Sequence, residues 1–129
     1  MNPAYAQVHF IMELASHPLP EECFIITAFN PMDEVLSYTE NLSRNAQLRM
    51  MIEGNGFTCI EISGVSKDLS HKEESFLTDA CKDQLMIWAR TFNQRAIFRV
   101  KADELILLSC TQEKEEKTLG SFRKRWLGT

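Results

Sequence analysis

The residues best suited to chemistry lie between a short apolar run and the helix that follows it. Thr27, Asn30, Ser37, Asn41 and Asn45 cluster over residues 27–45. Asn41, Asn45, Leu48 and Ile52 share one helical face, at offsets of four, seven and eleven residues. Leu48 and Ile52 belong in a core, so the same face turns two asparagines inward. A buried amide needs partners. One reading is a polar cradle for a ligand, placed where open α/β sheets bind them: beyond the carboxyl ends of strands, near helix N-termini. The alternative is a network tying the Asn30-Pro31 loop to the helix, since inward amides commonly bond to backbone.

A second candidate is Lys72-Glu73-Glu74-Ser75, a carboxylate beside a hydroxyl, with Glu74 as the candidate site residue. Acid–base work there depends on geometry that spacing alone does not supply; the alternative is a solvated acidic pair. His9, His17 and His71 are the three histidines, and no H-x-x-x-H or H-E-x-x-H pairing exists. The four cysteines, Cys23, Cys59, Cys81 and Cys110, have no C-x-x-C spacing and sit among apolar residues, which reads as buried free thiols. There is no G-x-S-x-G, P-loop or G-x-G-x-x-G. No metal site and no cofactor are therefore expected, and the reading leans away from an enzyme while leaving that class open.

The third candidate is the C-terminus. Residues 112–129 carry Lys114, Lys117, Arg123, Lys124 and Arg125 against Glu113, Glu115 and Glu116, a balance of +2 that leaves −6 on residues 1–111 of a chain whose net charge is −4. Arg123, Lys124, Arg125 and Trp126 form a basic, aromatic stretch able to grip RNA, a membrane surface or a partner groove. The alternative is that Phe122 and Trp126 dock on the chain's own sheet while the cations stay wet. An acidic body argues against nucleic acid elsewhere.

The elements that position these groups follow from periodicity. Asn2 and Pro3 start an N-terminal helix carrying Val8, Ile11, Met12 and Ala15, which His17-Pro18-Leu19-Pro20 stops. Residues 23–29 read as a buried central strand. Ser37-Tyr-Thr-Glu40 is a capping box, and its helix runs to about Glu53, ended by Gly54-Asn55-Gly56. Strands are expected over 57–62 and 74–78, a helix over 80–93, and a hairpin over 96–101 and 104–110 around Ala102-Asp103. The expected fold is α/β: a mixed sheet of about five strands, with a parallel strand–helix–strand unit, a C-terminal antiparallel hairpin and helices packed on the sheet. The 129 residues suit one domain, assigned to 1–111, with 112–129 as a basic tail. Hydrophobic residues at 44% and charged ones at 25% fit a folded globular chain. No signal peptide or membrane span is read, so a cytoplasmic location is expected.

These stretches resemble a family of bacterial domains of unknown function. The resemblance rests on Phe24-Ile-Ile-Thr-Ala-Phe-Asn-Pro31, Leu36-Ser37, Glu40-Asn41, Asn45-Ala-Gln-Leu48, Glu74-Ser75-Phe76-Leu77 and Phe92-Asn-Gln-Arg-Ala-Ile-Phe98, over about residues 23–110. It supports the α/β reading and marks Thr27, Asn30, Pro31, Ser37, Asn41, Asn45, Glu74 and Gln94 as motif positions. The candidate ligand set is thus Thr27, Asn30, Ser37, Asn41, Asn45, Glu74 and Gln94. The resemblance implies no activity. Small proteins of this kind are often interaction modules, sometimes in toxin–immunity or phage–host conflict. The expected function is a binding module with a protein partner. A small enzyme or small-molecule binder using the strand-end cluster is the alternative, and nucleic-acid contact through the tail is the third.

Overall fold

The computed structural model describes residues 3–12, 19–111 and 115–127. It has seven strands: β1 (His9–Ile11), β2 (Glu22–Ile26), β3 (Ile60–Val65), β4 (Lys72–Thr78), β5 (Ala96–Lys101), β6 (Glu104–Ser109) and β7 (Glu116–Ser121). Two helices, α1 (Tyr38–Gly54) and α2 (Lys82–Thr91), pack on one face. The strand order is β1-β3-β4-β2-β5-β6-β7, and every neighbouring pair is antiparallel.

This overturns the expected mixed five-stranded sheet with its parallel strand–helix–strand unit. β2 and β3, which α1 connects, are not neighbours: β4 lies between them and pairs antiparallel with both. A crossover helix constrains the direction of the strands it joins but not their adjacency. Here β3 and β4 form a hairpin closed by residues 66–71, and its returning strand fills the gap beside β2. Asp68 organises that loop by accepting hydrogen bonds from Ser66 Oγ and from the Ser70 amide and hydroxyl. These bonds hold its carboxyl down at about 2.

The two further strands come from segments read otherwise. Residues 3–7 make a short 3-10 turn rather than the first turn of a longer helix, and β1 follows. Val8, Phe10 and Met12 alternate into one core, so the period there is two and not 3.6. Asn2 and Ala15, assigned to the expected helix, lie outside the described residues. At the other end, residues 116–121 are not tail but the edge strand β7, and Phe122 beyond it is buried. Its sequence, Glu-Lys-Thr-Leu-Gly-Ser, is polar because an edge strand exposes most of its side chains.

The sheet curls until its ends meet. A parallel bridge joins Phe10 of β1 to Trp126 beyond β7, and the Leu127 amide donates to the Phe10 carbonyl at 2.8 Å. Arg125 clasps the seam: its guanidinium donates to the carbonyls of Ala6 (2.7 Å), Val8 (3.1 Å) and Leu119 (2.8 Å).

Two cores result. Phe24, Ile26, Leu48, Ile52, Phe76, Leu85, Trp88 and Ile97 fill the helix side. Phe10, Cys23, Ile25, Ile62, Leu77, Val100, Leu105 and Phe122 line the inside of the curl. Alternation along β2 and β4 assigns each residue to its side. The helix boundaries follow local chemistry. Ser37 caps α1, its hydroxyl accepting from the Glu40 amide at 3.1 Å and donating to the Glu40 carboxylate at 2.9 Å. Gly56, at φ +83°, takes the left-handed turn after α1. Ala102 and Asp103, at φ +46° and +70°, form the two-residue turn between β5 and β6.

Candidate functional site

The asparagines of α1 are buried, and their amides bond to backbone or to the Asn30 side chain. Asn45 Oδ1 accepts the Ala28 amide at 2.8 Å, and its Nδ2 donates to the Glu74 carbonyl at 2.8 Å. Thr27 Oγ donates to the same carbonyl at 2.7 Å and accepts the Phe29 amide. Asn41 Oδ1 accepts the Asn30 amide at 2.9 Å, while its Nδ2 donates to Asn30 Oδ1 at 2.8 Å. Asn30 Oδ1 also accepts the Leu36 amide. Gln94 Nε2 donates to the Phe29 carbonyl at 3.0 Å. The structure thus brings together Thr27, Asn30, Asn41, Asn45 and Gln94, and their polar atoms hold the chain from 27 to 36 in place.

That segment is strained. Asn30, Met32 and Asp33 have φ of +45°, +48° and +65°. Left-handed backbone costs a non-glycine residue about 1–3 kcal/mol, least for Asn and Asp, so surroundings must over-determine it. They do. The Met32 amide donates to the Asn93 carbonyl at 2.8 Å, and Arg44 donates to the carbonyls of Ala28 and Phe92. Asp33 Oδ1 accepts Tyr5 Oη–H at 2.7 Å, and Asp33 Oδ2 accepts Arg95 Nε–H at 2.8 Å. Burial and the bond to Asp33 push the Tyr5 phenol far above its ordinary range.

The pinned loop forms one wall of a cavity of about 490 Å³ inside the curl, on the face away from the helices. Its floor is apolar: Val8, Phe10, Ile25 and Phe98. The Phe10 and Phe98 rings meet edge to face at 5.5 Å. Thr27, Asn30, Ser75 and Gln94 line its polar wall, Tyr5 and Asp33 flank it, and exposed Lys67 and His71 border the opening. Glu73 on β4 faces Gly64 on β3 across the ladder. A Cβ at Gly64 would meet only Val8 Cγ2, at 3.4 Å, so the missing side chain leaves the space in front of Glu73 open. Burial pushes the Glu73 carboxyl upward, as does the charge of Asp33, against the opposing Asn30 hydrogen bond.

The remaining expected residues are placed elsewhere. Ser37 caps α1. Glu74 points to the helix side, where it accepts Tyr38 Oη–H at 2.6 Å; its neighbour Glu73 is the residue that meets the cavity. Period-two alternation with Leu77 is the signal that assigns Glu73 to that face. Tyr5, Asp33 and Gly64 carried no such signal, since Tyr5 and Asp33 stand 28 residues apart and meet only in the fold. Arg125 is held internally by three carbonyls, and Trp126 is half-buried at the seam. Arg123 and Lys124 are exposed. Burial pushes the thiols of Cys23, Cys59 and Cys110 up to about 11, which disfavours nucleophilic thiolate at neutral pH; Cys81 is exposed. Among the described residues no group of three His, Cys, Asp or Glu side chains is placed to hold a metal ion, and no helix is long and apolar enough to cross a membrane.

Residues 26–97 match the family described as "Protein of unknown function (DUF3293)", which is more than half of the chain. The chain belongs to this family. The matched segment contains the strained loop, α1, β3, β4 and α2, and thus the asparagine network and Glu73. Tyr5, Val8 and Phe10 lie before it, so the cavity combines matched and unmatched residues. No curated protein and no solved structure matches the chain.

Proposed function

We propose that this domain binds a small organic molecule in the cavity inside the curl. The supporting observation is the cavity itself: about 490 Å³, with an apolar floor and a polar wall held rigid by the asparagine network. Ligand sites commonly have this size and composition. On this reading the asparagines of α1 support the site from behind, because their polar atoms are turned to backbone and to Asn30.

A thermal melt against amino acids, amines, alcohols, carboxylates and sugar phosphates tests the reading. A ligand at about one hundred times its Kd stabilises the folded state by about 2.7 kcal/mol. Gly64→Val and Ala96→Leu each grow a side chain from a cavity-lining position and should abolish the shift while the protein remains folded. No shift from any compound, or shifts that survive both variants, would refute the proposal.

Contact with a protein partner is a second reading. Tyr38, Leu42 and Met50 are exposed apolar side chains on α1, and Val35 just before it is 84% exposed. That reading requires a specific partner whose binding is lost in Leu42→Glu and Met50→Glu.

A further inference from the structure

Resting on the cavity as a ligand site, we propose that its ligand is an organic cation: a protonated amine on an apolar or aromatic body, with the ammonium against Glu73.

Two carboxylates line the cavity, and they differ in how they are satisfied. Asp33 has both oxygens engaged, one by Tyr5 and one by Arg95. Glu73 receives a single hydrogen bond, from Asn30 Nδ2 at 3.4 Å, and makes no ion pair among the described residues. It is half-buried beside an apolar floor. An ionised carboxylate withdrawn from water without a counter-charge is unfavourable, and a cation delivered by a ligand corrects that imbalance. Gly64, directly across the ladder, leaves room for it. The rest of the ligand would lie on the half-buried Val8 and Phe98, backed by the buried Phe10; the Phe98 ring favours an apolar body and attracts a cation through its face.

The other charged groups around Glu73 come from every neighbouring element. Asp33 is neutralised by Arg95 from the start of β5. Lys67 and His71 border the opening from the β3–β4 loop, and Lys72 precedes Glu73 on β4. Lys67, His71 and Lys72 are all exposed, so water screens them, whereas Glu73 lies deeper. An anion entering the cavity meets Glu73 without a neutralising partner.

Binding of 2-phenylethylammonium, 2-phenylethanol and 3-phenylpropionate, measured by calorimetry and ligand-observed NMR, tests the inference. The ammonium should bind at least about tenfold tighter than the alcohol, as expected for a hydrogen bond to a charged group, and the carboxylate weakest. Glu73→Gln should remove that tenfold advantage, so that the ammonium and the alcohol bind within about twofold of each other; an advantage that survives the substitution overturns the inference. The wild-type protein provides a second measurement that needs no variant. The ammonium's advantage over the alcohol should narrow as the pH is lowered from neutrality toward the ordinary carboxylate value of 4.5, above which the Glu73 pKa is raised, as Glu73 takes up a proton. Equal binding of ammonium and alcohol, or preference for the carboxylate, overturns the inference while the cavity reading stands. If none of the three binds, the inference is overturned, and the cavity reading is judged by the wider thermal melt.

Discussion

Replacing Asn45 by alanine isolates the network that holds the strained loop. The side chain is buried and makes two hydrogen bonds of 2.8 Å, from the Ala28 amide and to the Glu74 carbonyl. Truncation orphans the Ala28 N–H in the core, which costs about 1–3 kcal/mol. The Glu74 carbonyl keeps its bond from Thr27 Oγ, so its loss is smaller, about 1 kcal/mol. Asn45→Ala should therefore lower the unfolding free energy by about 2–4 kcal/mol, or Tm by roughly 6–16 °C. Urea denaturation followed by fluorescence of the buried Trp88 measures it, with Gln47→Ala as an exposed control expected within about 0.5 kcal/mol of wild type. The shared Glu74 carbonyl adds a sharper test. Thr27→Ala together with Asn45→Ala leaves that oxygen with neither donor, so the double variant should lose about 1 kcal/mol more than the two single losses added. A loss no larger than the control, or strict additivity, would refute the account of the network.

Three further outcomes follow from other parts of the fold. Ala102→Asn should stabilise the protein by about 0.5–1 kcal/mol in urea melts, because Ala102 sits at φ +46° in a turn that asparagine adopts readily. Arg125→Ala removes three hydrogen bonds across the seam and should cost about 2 kcal/mol or more, with amide hydrogen exchange accelerating first in β1 and β7. Glu73 has its folded-state pKa raised above the ordinary 4.5, so the folded protein binds its proton more tightly than the unfolded chain does. The stability this contributes is present at acid pH and lost as pH rises through the raised value. Glu73→Gln should therefore be more stable than wild type at neutral pH in ligand-free urea melts, and the difference should shrink below about pH 4.5.

Much of the local structure was legible in the sequence because short-range chemistry decides it. Serine and glutamate three residues apart form the cap of α1, and the glycine after Asn55 adopts the left-handed turn. The apolar run from Cys23 is buried because β-branched and aromatic side chains leave water wherever the strand lies. Asn41 and Asn45 face inward because Leu48 and Ile52 must, and a helix carries all four together.

The tertiary structure decided how these pieces pair and where the open chemistry lies. Strand order depends on which strand edges the whole chain brings together, and periodicity carries no information about neighbours. β4 could therefore take the place beside β2 that the parallel reading assigned to β3. Weakly patterned ends such as His9–Ile11 and Glu116–Ser121 become strands only because a curled sheet supplies partners for their backbones. Glu73 and Glu74 are adjacent and chemically alike. The pleat sends Glu74 to Tyr38 and Glu73 to the cavity, and that difference in surroundings arises only when distant parts of the chain, among them Asn30, Gly64 and Phe98, close around it.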